Sequence, residues 1–191
     1  MNRSKFITVL VVALLGVTSV FAQEQKKKKA RVSLPATVSA DVDGNQVKIA
    51  YSRPGAKDPK SGEVRKIWGG LVPFGKVWRT GANEATLLTT TQAITLGGYT
   101  LAAGTYSLFT QPEADGSAKL IINKKTGQWG IPYKDAEEKA NELARLDLTK
   151  STTAAAVDPF MMAVEKTGAG AGVIKLAWEN TQYSIAFANQ K

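Results

Sequence analysis

Cysteine and histidine are both absent from this 191-residue chain. Their absence excludes thiol nucleophiles, disulfides, Ser-His-Asp triads and histidine or cysteine metal sites. A fold without disulfides is held by packing alone. A metal site would need oxygen ligands of the kind calcium or magnesium takes, and the sequence assigns neither a metal nor a cofactor. Acid–base chemistry would fall to Asp, Glu, Lys or Tyr. Long apolar runs are scarce as well. The longest, Phe6-Ile7-Thr8-Val9-Leu10-Val11-Val12-Ala13-Leu14-Leu15, is shorter than the roughly 20 residues of a membrane helix.

That run has the shape of an export signal. Arg3 and Lys5 supply positive charge before it, and Val20-Phe21-Ala22 supplies the small residues a signal peptidase accepts. The expected cut follows Ala22, making residues 1–22 a signal peptide. Lys26-Lys27-Lys28-Lys29 lies just beyond. Positive charge there resists translocation, which keeps an uncleaved anchor as the competing reading. Residues 23–32 read as a basic, disordered leader and residues 33–191 as one domain, in the periplasm or outside the cell.

Removing 22 of 191 residues leaves 169, enough for one domain with a real core. The signal takes two of the 25 basic residues and none of the 16 acidic ones, so the remainder carries +7. Four of those charges are the lysine run, which reads as a solvated leader with weak attraction to anionic surfaces. Nucleic acid is not an expected partner, because the basic residues lack interleaved aromatics.

The rest of the chain alternates short β-patterned runs with glycine turns. Val47, Ile49 and Tyr51 alternate with Gln46, Lys48 and Ala50 after the turn signal Asp43-Gly44-Asn45, which pairs this run with 36–42. Further strands are expected over 86–91, 99–101, 105–110, 119–123 and 160–164. Ile174, Leu176 and Trp178 form another, followed by a turn at Glu179-Asn180-Thr181-Gln182 and a return over 183–187. Lys134 to Arg145 reads as a short surface helix with Asp135 as N-cap. The expected fold is all-β, an antiparallel β-sandwich or jelly-roll-like barrel of about nine or ten strands with that one short helix.

Tyr51 to Thr86 does not read as an ordinary hairpin. Two tryptophans, with Arg53, Arg65 and Arg79, sit among glycines and prolines with little periodicity. Long irregular segments in compact domains are often functional. Arg53 follows the inward-facing residues of its strand, and Pro54 ends that strand. Arg53, Trp68, Trp78, Arg79, Asn83 and Glu84 are the ligand-binding candidates. A guanidinium, an amide and a carboxylate beside indole faces can read sugar hydroxyls or a carboxylate. The competing reading is structural: Arg79 pairs with Glu84 to brace the loop, and both tryptophans are core. Trp129 and Tyr183 read as core or turn packing, and Lys124 and Lys125 as solvated turn residues.

Four stretches resemble one family. They are Tyr51-Ser52-Arg53-Pro54, the string from Ile67-Trp68-Gly69-Gly70 through Trp78-Arg79-Thr80-Gly81-Ala82-Asn83-Glu84-Ala85-Thr86, Ala103-Gly104-Thr105-Tyr106-Ser107-Leu108-Phe109, and Asn123-Lys124 through Gln128-Trp129-Gly130. The chain is similar to exported bacterial proteins of the domain-of-unknown-function family 2911. The resemblance implies export and a compact domain, and it carries no reaction. Ala56 to Val64 and Lys134 to Arg145 are longer than the family pattern.

Three functions follow from these residues. The leading one is a non-catalytic, ligand-binding or envelope-associated module whose partner is a carbohydrate, a small anion or a protein, with no catalytic residue. The alternative is a glycan hydrolase using Glu84 with Glu63, Asp58 or Asp147 as a carboxylate pair. The third is a purely structural envelope protein.

Overall fold

Alternation becomes structure first at the hairpin of β1 (Leu34–Val42) and β2 (Asn45–Arg53). A computed structural model describes residues 31–133 and 135–190. The signal peptide, Lys26 to Lys29 and the rest of the leader before Arg31 lie outside the described residues. Asp43 and Gly44 connect the two strands with φ of 50° and 85°, the paired positive angles of a two-residue turn. The Asp41 carboxylate accepts the Gly44 N–H at 2.8 Å. Val47, Ile49 and Tyr51 are buried while Gln46 and Lys48 are exposed, as the period of two requires.

The other strands are β3 (Thr86–Thr90), β4 (Ile94–Leu96), β5 (Tyr99–Leu101), β6 (Gly104–Pro112), β7 (Ala118–Asn123), β8 (Glu142–Asp147), β9 (Thr149–Gly168) and β10 (Ala171–Asn189), with one helix, α1 (Asp135–Lys139). They form two antiparallel sheets, β1-β2-β3-β6-β7-β8 and β5-β4-β10-β9. Neither sheet closes, so the fold is a sandwich rather than a barrel. Its core joins Val47, Ile49, Leu88, Leu108 and Leu120 of the first sheet to Phe160, Met162, Ile174, Leu176 and Trp178 of the second. Buried Asn45 fixes one end: its side-chain carbonyl accepts from Thr90, Thr91 and Gln92, while its amide donates to Asn189 of β10.

The six-stranded sheet also carries a smaller apolar cluster, Ala85, Phe109 and Ile121, covered by Val77 and Tyr133. This explains the continuous apolar run in β7. The sheet is covered on both faces there, the second cover coming from Val77 of the irregular segment between β2 and β3 and from Tyr133 of the segment after β7.

Two local expectations are corrected. The helix spans only residues 135–139, and 142–147 is strand β8, paired with β7 through Leu120↔Leu146 and Ile121↔Arg145. Leu143, Ala144 and Leu146 gain the main core by pairing, and the weak helical stripe offers no equal burial. The residues 179–182 are not a reversal. β10 runs through them, pairing with β9 at Val157↔Glu179 and Thr152↔Thr181, with register shifts on both sides of Glu179. Glu179 takes φ of 51°, which kinks the strand while its long partner runs past it.

Candidate functional site

The segment between β2 and β3 has few ladder bonds, so side chains and short bridges set its path. Trp78 pairs backbone with Thr110 of β6, at 2.7 and 2.8 Å. Its indole is 8% exposed, stacks on Trp178 at 5.9 Å and meets the edges of Phe160 and Trp68 at 5.0 and 6.1 Å. Its Nε1–H donates to the Gly81 carbonyl at 3.1 Å. Trp68 packs edge-on against Tyr183 as well, and its own buried N–H finds no acceptor among the described residues. Both tryptophans are therefore packing residues first.

After Trp78 the chain turns sharply. Thr80, Gly81 and Asn83 have φ of 54°, 145° and 61°. A β-branched residue at positive φ is an outlier, and such angles persist only where the surroundings over-determine them. Thr80 is fully buried, bonds the Thr110 hydroxyl at 2.7 Å, and its carbonyl accepts the Thr86 hydroxyl at 2.7 Å. Gly81 is needed for a second reason: a Cβ there would sit 2.8 Å from the Ser52 carbonyl oxygen.

The turn delivers residues 83–85 to a short pairing with 128–130. Glu84 bridges Trp129, Ala85 N–H donates to Gln128 and Gly130 N–H donates to Asn83 at 3.0 Å. Arg79 lies across this junction. Its Nη1–H donates to the Asn83 carbonyl at 3.0 Å. A Cβ on Gly130 would fall 2.5 to 2.9 Å from the Arg79 side-chain carbons, so only glycine leaves room for that side chain. Arg79 is half-buried and has no carboxylate partner among the described residues. Burial accordingly lowers its pKa from the ordinary guanidinium value.

These residues wall a cleft of about 450 Å³. Buried Trp78 and Trp178 line it together with Trp129, Ile131, Val32 and Ser33. Trp129 is 58% exposed. Among the described residues three cations line the cleft, Lys57, Arg65 and Arg79, and no Asp or Glu does. Arg65 is occupied: it donates to the carbonyls of Gly55 and Ala56 and lies 3.7 Å from Asp58. Beside the cleft, Asp158 is committed too, accepting from Ala56 N–H and Trp178 Nε1–H.

The six candidates separate. Trp78, Arg79 and Asn83 line the cleft. The Asn83 amide donates to the Ser33 carbonyl at 3.1 Å, holding the residue before β1 against the wall. Trp68 lies behind, on Trp78. The Arg53 Nε–H donates to the Phe160 carbonyl at 3.3 Å, tying β2 to β9. Glu84 borders a different, smaller cleft of about 180 Å³. It pairs with Arg31 at 2.8 and 2.5 Å rather than with Arg79. The hydrogen bond from Arg31 is the main reason its carboxyl lies below the usual range. The pattern of residue types picked out Trp78, Arg79 and Asn83. It missed Trp129, Lys57 and Arg65 as cleft residues. Only the Gln128-Trp129-Gly130 string hinted at Trp129, since exposure cannot be read from a lone tryptophan.

A second cleft of about 660 Å³ shares Ile131 with the first and is lined by Lys76, Gln111, Tyr133, Lys139 and Arg145. Here the arginine is paired with a carboxylate. Arg145 donates twice to Glu142, at 2.5 and 3.0 Å, and once to Gln111 at 2.7 Å. The Tyr133 hydroxyl donates to Glu142 at 2.9 Å. Burial alone would raise the Glu142 pKa, but the bonds from Arg145 and Tyr133 and the Arg145 charge outweigh it and hold it low. Burial, then the Glu142 carboxylate, push Tyr133 up to about 12.

The family model for proteins of unknown function DUF2911 matches residues 33–187. The chain belongs to the DUF2911 family. The DUF2911 match begins at Ser33 on the cleft wall and ends in β10, so it takes in all of the second cleft and all of the first but Val32. No curated protein and no solved structure gives a match.

Proposed function

We propose that this DUF2911 protein is exported and serves as a non-catalytic binding module, with the cleft beside Arg79 and Trp129 as its ligand site. One observation carries the reading: among the described residues the cleft is lined by three cations and an exposed indole and by no carboxylate. Its volume lies within the roughly 300–1,000 Å³ of small-molecule sites. Carbohydrates, small anions and an anionic segment of a protein partner are the ligand classes that suit it. Export rests on residues 1–22, and Lys26 to Lys29 add attraction to anionic envelope surfaces. No helix of the described residues is long and apolar enough to cross a membrane.

Hydrolysis of a glycan needs two carboxylates about the scissile bond. The cleft lacks them, and Glu84 is engaged by Arg31. The chemistry on the cleft wall favours holding an anion over breaking a glycosidic bond. The test is a thermal-shift screen of the protein against oligosaccharides, peptidoglycan fragments and small anions, beside Trp129→Ala. A rise in midpoint with the protein, lost in the variant, is the expected result. No rise with any compound would remove the support for binding. Mass spectrometry of the exported protein should find Gln23 as the first residue.

A further inference from the structure

Which ligand suits the cleft depends on which edge of Arg79 is free. A guanidinium has two ways to grip a carboxylate: end-on through both Nη atoms, or side-on through Nε and Nη2. The Asn83 carbonyl occupies Nη1. That bond takes one of the two Nη1 N–H groups and leaves Nε and Nη2, the side-on pair, with no protein partner among the described residues. Neither nitrogen is sealed from solvent, since the buried, unpartnered side-chain atoms among the described residues are only Trp68 Nε1 and Gln128 Oε1. Gly130 and Asn83 fix the side chain from two directions, so the free edge is pre-oriented before any ligand arrives.

Two other features narrow the choice. Trp129 offers an exposed indole in the same cleft, a platform for a flat body with an apolar face. Lys57 is a third cation with no ion pair among the described residues, so the cleft retains positive charge after Arg65 has met Asp58. A carboxylate alone would use Arg79 and waste the indole. A neutral sugar would use the indole and leave the guanidinium edge unpaired, which costs affinity.

We infer that the cleft takes a sugar acid: a pyranose ring lying on Trp129 whose carboxylate is gripped side-on by Nε and Nη2 of Arg79. The assignment rests on the binding reading above and specifies its ligand class.

The test is NMR titration of the ¹⁵N-labelled protein with sodium glucuronate, glucose and sodium benzoate at matched ionic strength. The reporters are the Trp129 indole N–H and the Arg79 Nε–H. Glucuronate should move both signals and bind at least about ten-fold more tightly than glucose or benzoate, the margin of one charge-assisted pair. Arg79→Gln should abolish the preference for glucuronate over glucose. Arg79→Lys should restore little of it, because an ammonium presents no fork. Trp129→Ala, at an exposed position, should keep the fold and weaken glucuronate, which covers the case in which an Arg79 variant misfolds. Glucose binding as tightly as glucuronate overturns the sugar-acid assignment and leaves the binding reading standing. Benzoate binding best overturns the sugar in favour of an aromatic acid. If no probe moves either signal, the assignment and the cleft as a ligand site both fall.

Discussion

Arg79 and Arg145 stand in neighbouring clefts that share Ile131, yet they are in opposite states. Arg145 is saturated by Glu142 and Gln111, and Tyr133 completes that network. Among the described residues Arg79 has one carbonyl partner and no acid. Partly burying a cation without its counter-ion costs folding energy that a satisfied pair avoids. The fold tolerates that cost in one cleft and removes it in the other. An arginine left half-paired in an aromatic cleft is better placed for an external anion than one already closed by its own carboxylate. The contrast separates the two clefts more sharply than size does, because the larger cleft is the one whose arginine is paired with a carboxylate.

Five changes test the contrast. The largest effect should come from the aromatic wall that supports Arg79. Trp78→Ala removes a buried indole with its stack on Trp178 and its bond to Gly81, and should cost about 3–5 kcal/mol in denaturant unfolding. A loss under about 1 kcal/mol would mean the cleft does not depend on that packing.

Glu142→Gln comes next. It leaves Arg145 and Tyr133 without their carboxylate and should cost about 1–3 kcal/mol. Arg79→Gln should cost under about 1 kcal/mol, because it trades one hydrogen bond for relief of an unpaired charge. Equal losses from the two variants would erase the distinction between the clefts.

Gly130→Ala sets a methyl against the Arg79 side chain and should cost about 1–3 kcal/mol through overpacking. Its sharper signature is displacement of the Arg79 Nε–H resonance without bound ligand. An unmoved resonance would show that the arginine is not held by that glycine.

The smallest effect is an alkaline one. Tyr133 titrates near 12 in the folded chain against 10.0 for a free tyrosine. Its folded pKa is raised, so its contribution is present below about 10 and declines as pH climbs toward 12. Tyr133→Phe should flatten the fall in stability over that window and remove the last phase of an ultraviolet tyrosinate titration. An unchanged last phase would assign it to another tyrosine.

Much of the fold was legible because it is local. The alternation of Val47, Ile49 and Tyr51 and the Asp43-Gly44 turn state a hairpin without outside help. The helix was overread because residues 142–145 carry too little apolar pattern to choose between periods, and pairing with β7 decided it. The break at 179–182 was read as a reversal because turn chemistry marks a bend and not its consequence. The site was half legible for the same reason. Trp78, Arg79 and Asn83 are neighbours in the chain. Trp129 reaches them only through the non-local pairing of 83–85 with 128–130, a few residues long and without periodicity. Glu84 was read with Arg79 because they are close in sequence, whereas its actual partner, Arg31, lies 53 residues away.

Gly130 carries the site's history as well as its geometry. The Arg79 side chain fills the space a Cβ would need, so the two positions cannot drift independently. Across the family, arginine at 79 should permit only glycine at 130. Lineages that have replaced the arginine should be free to place other residues there, so the glycine becomes a mark, readable in a genome, of which relatives have kept the arginine.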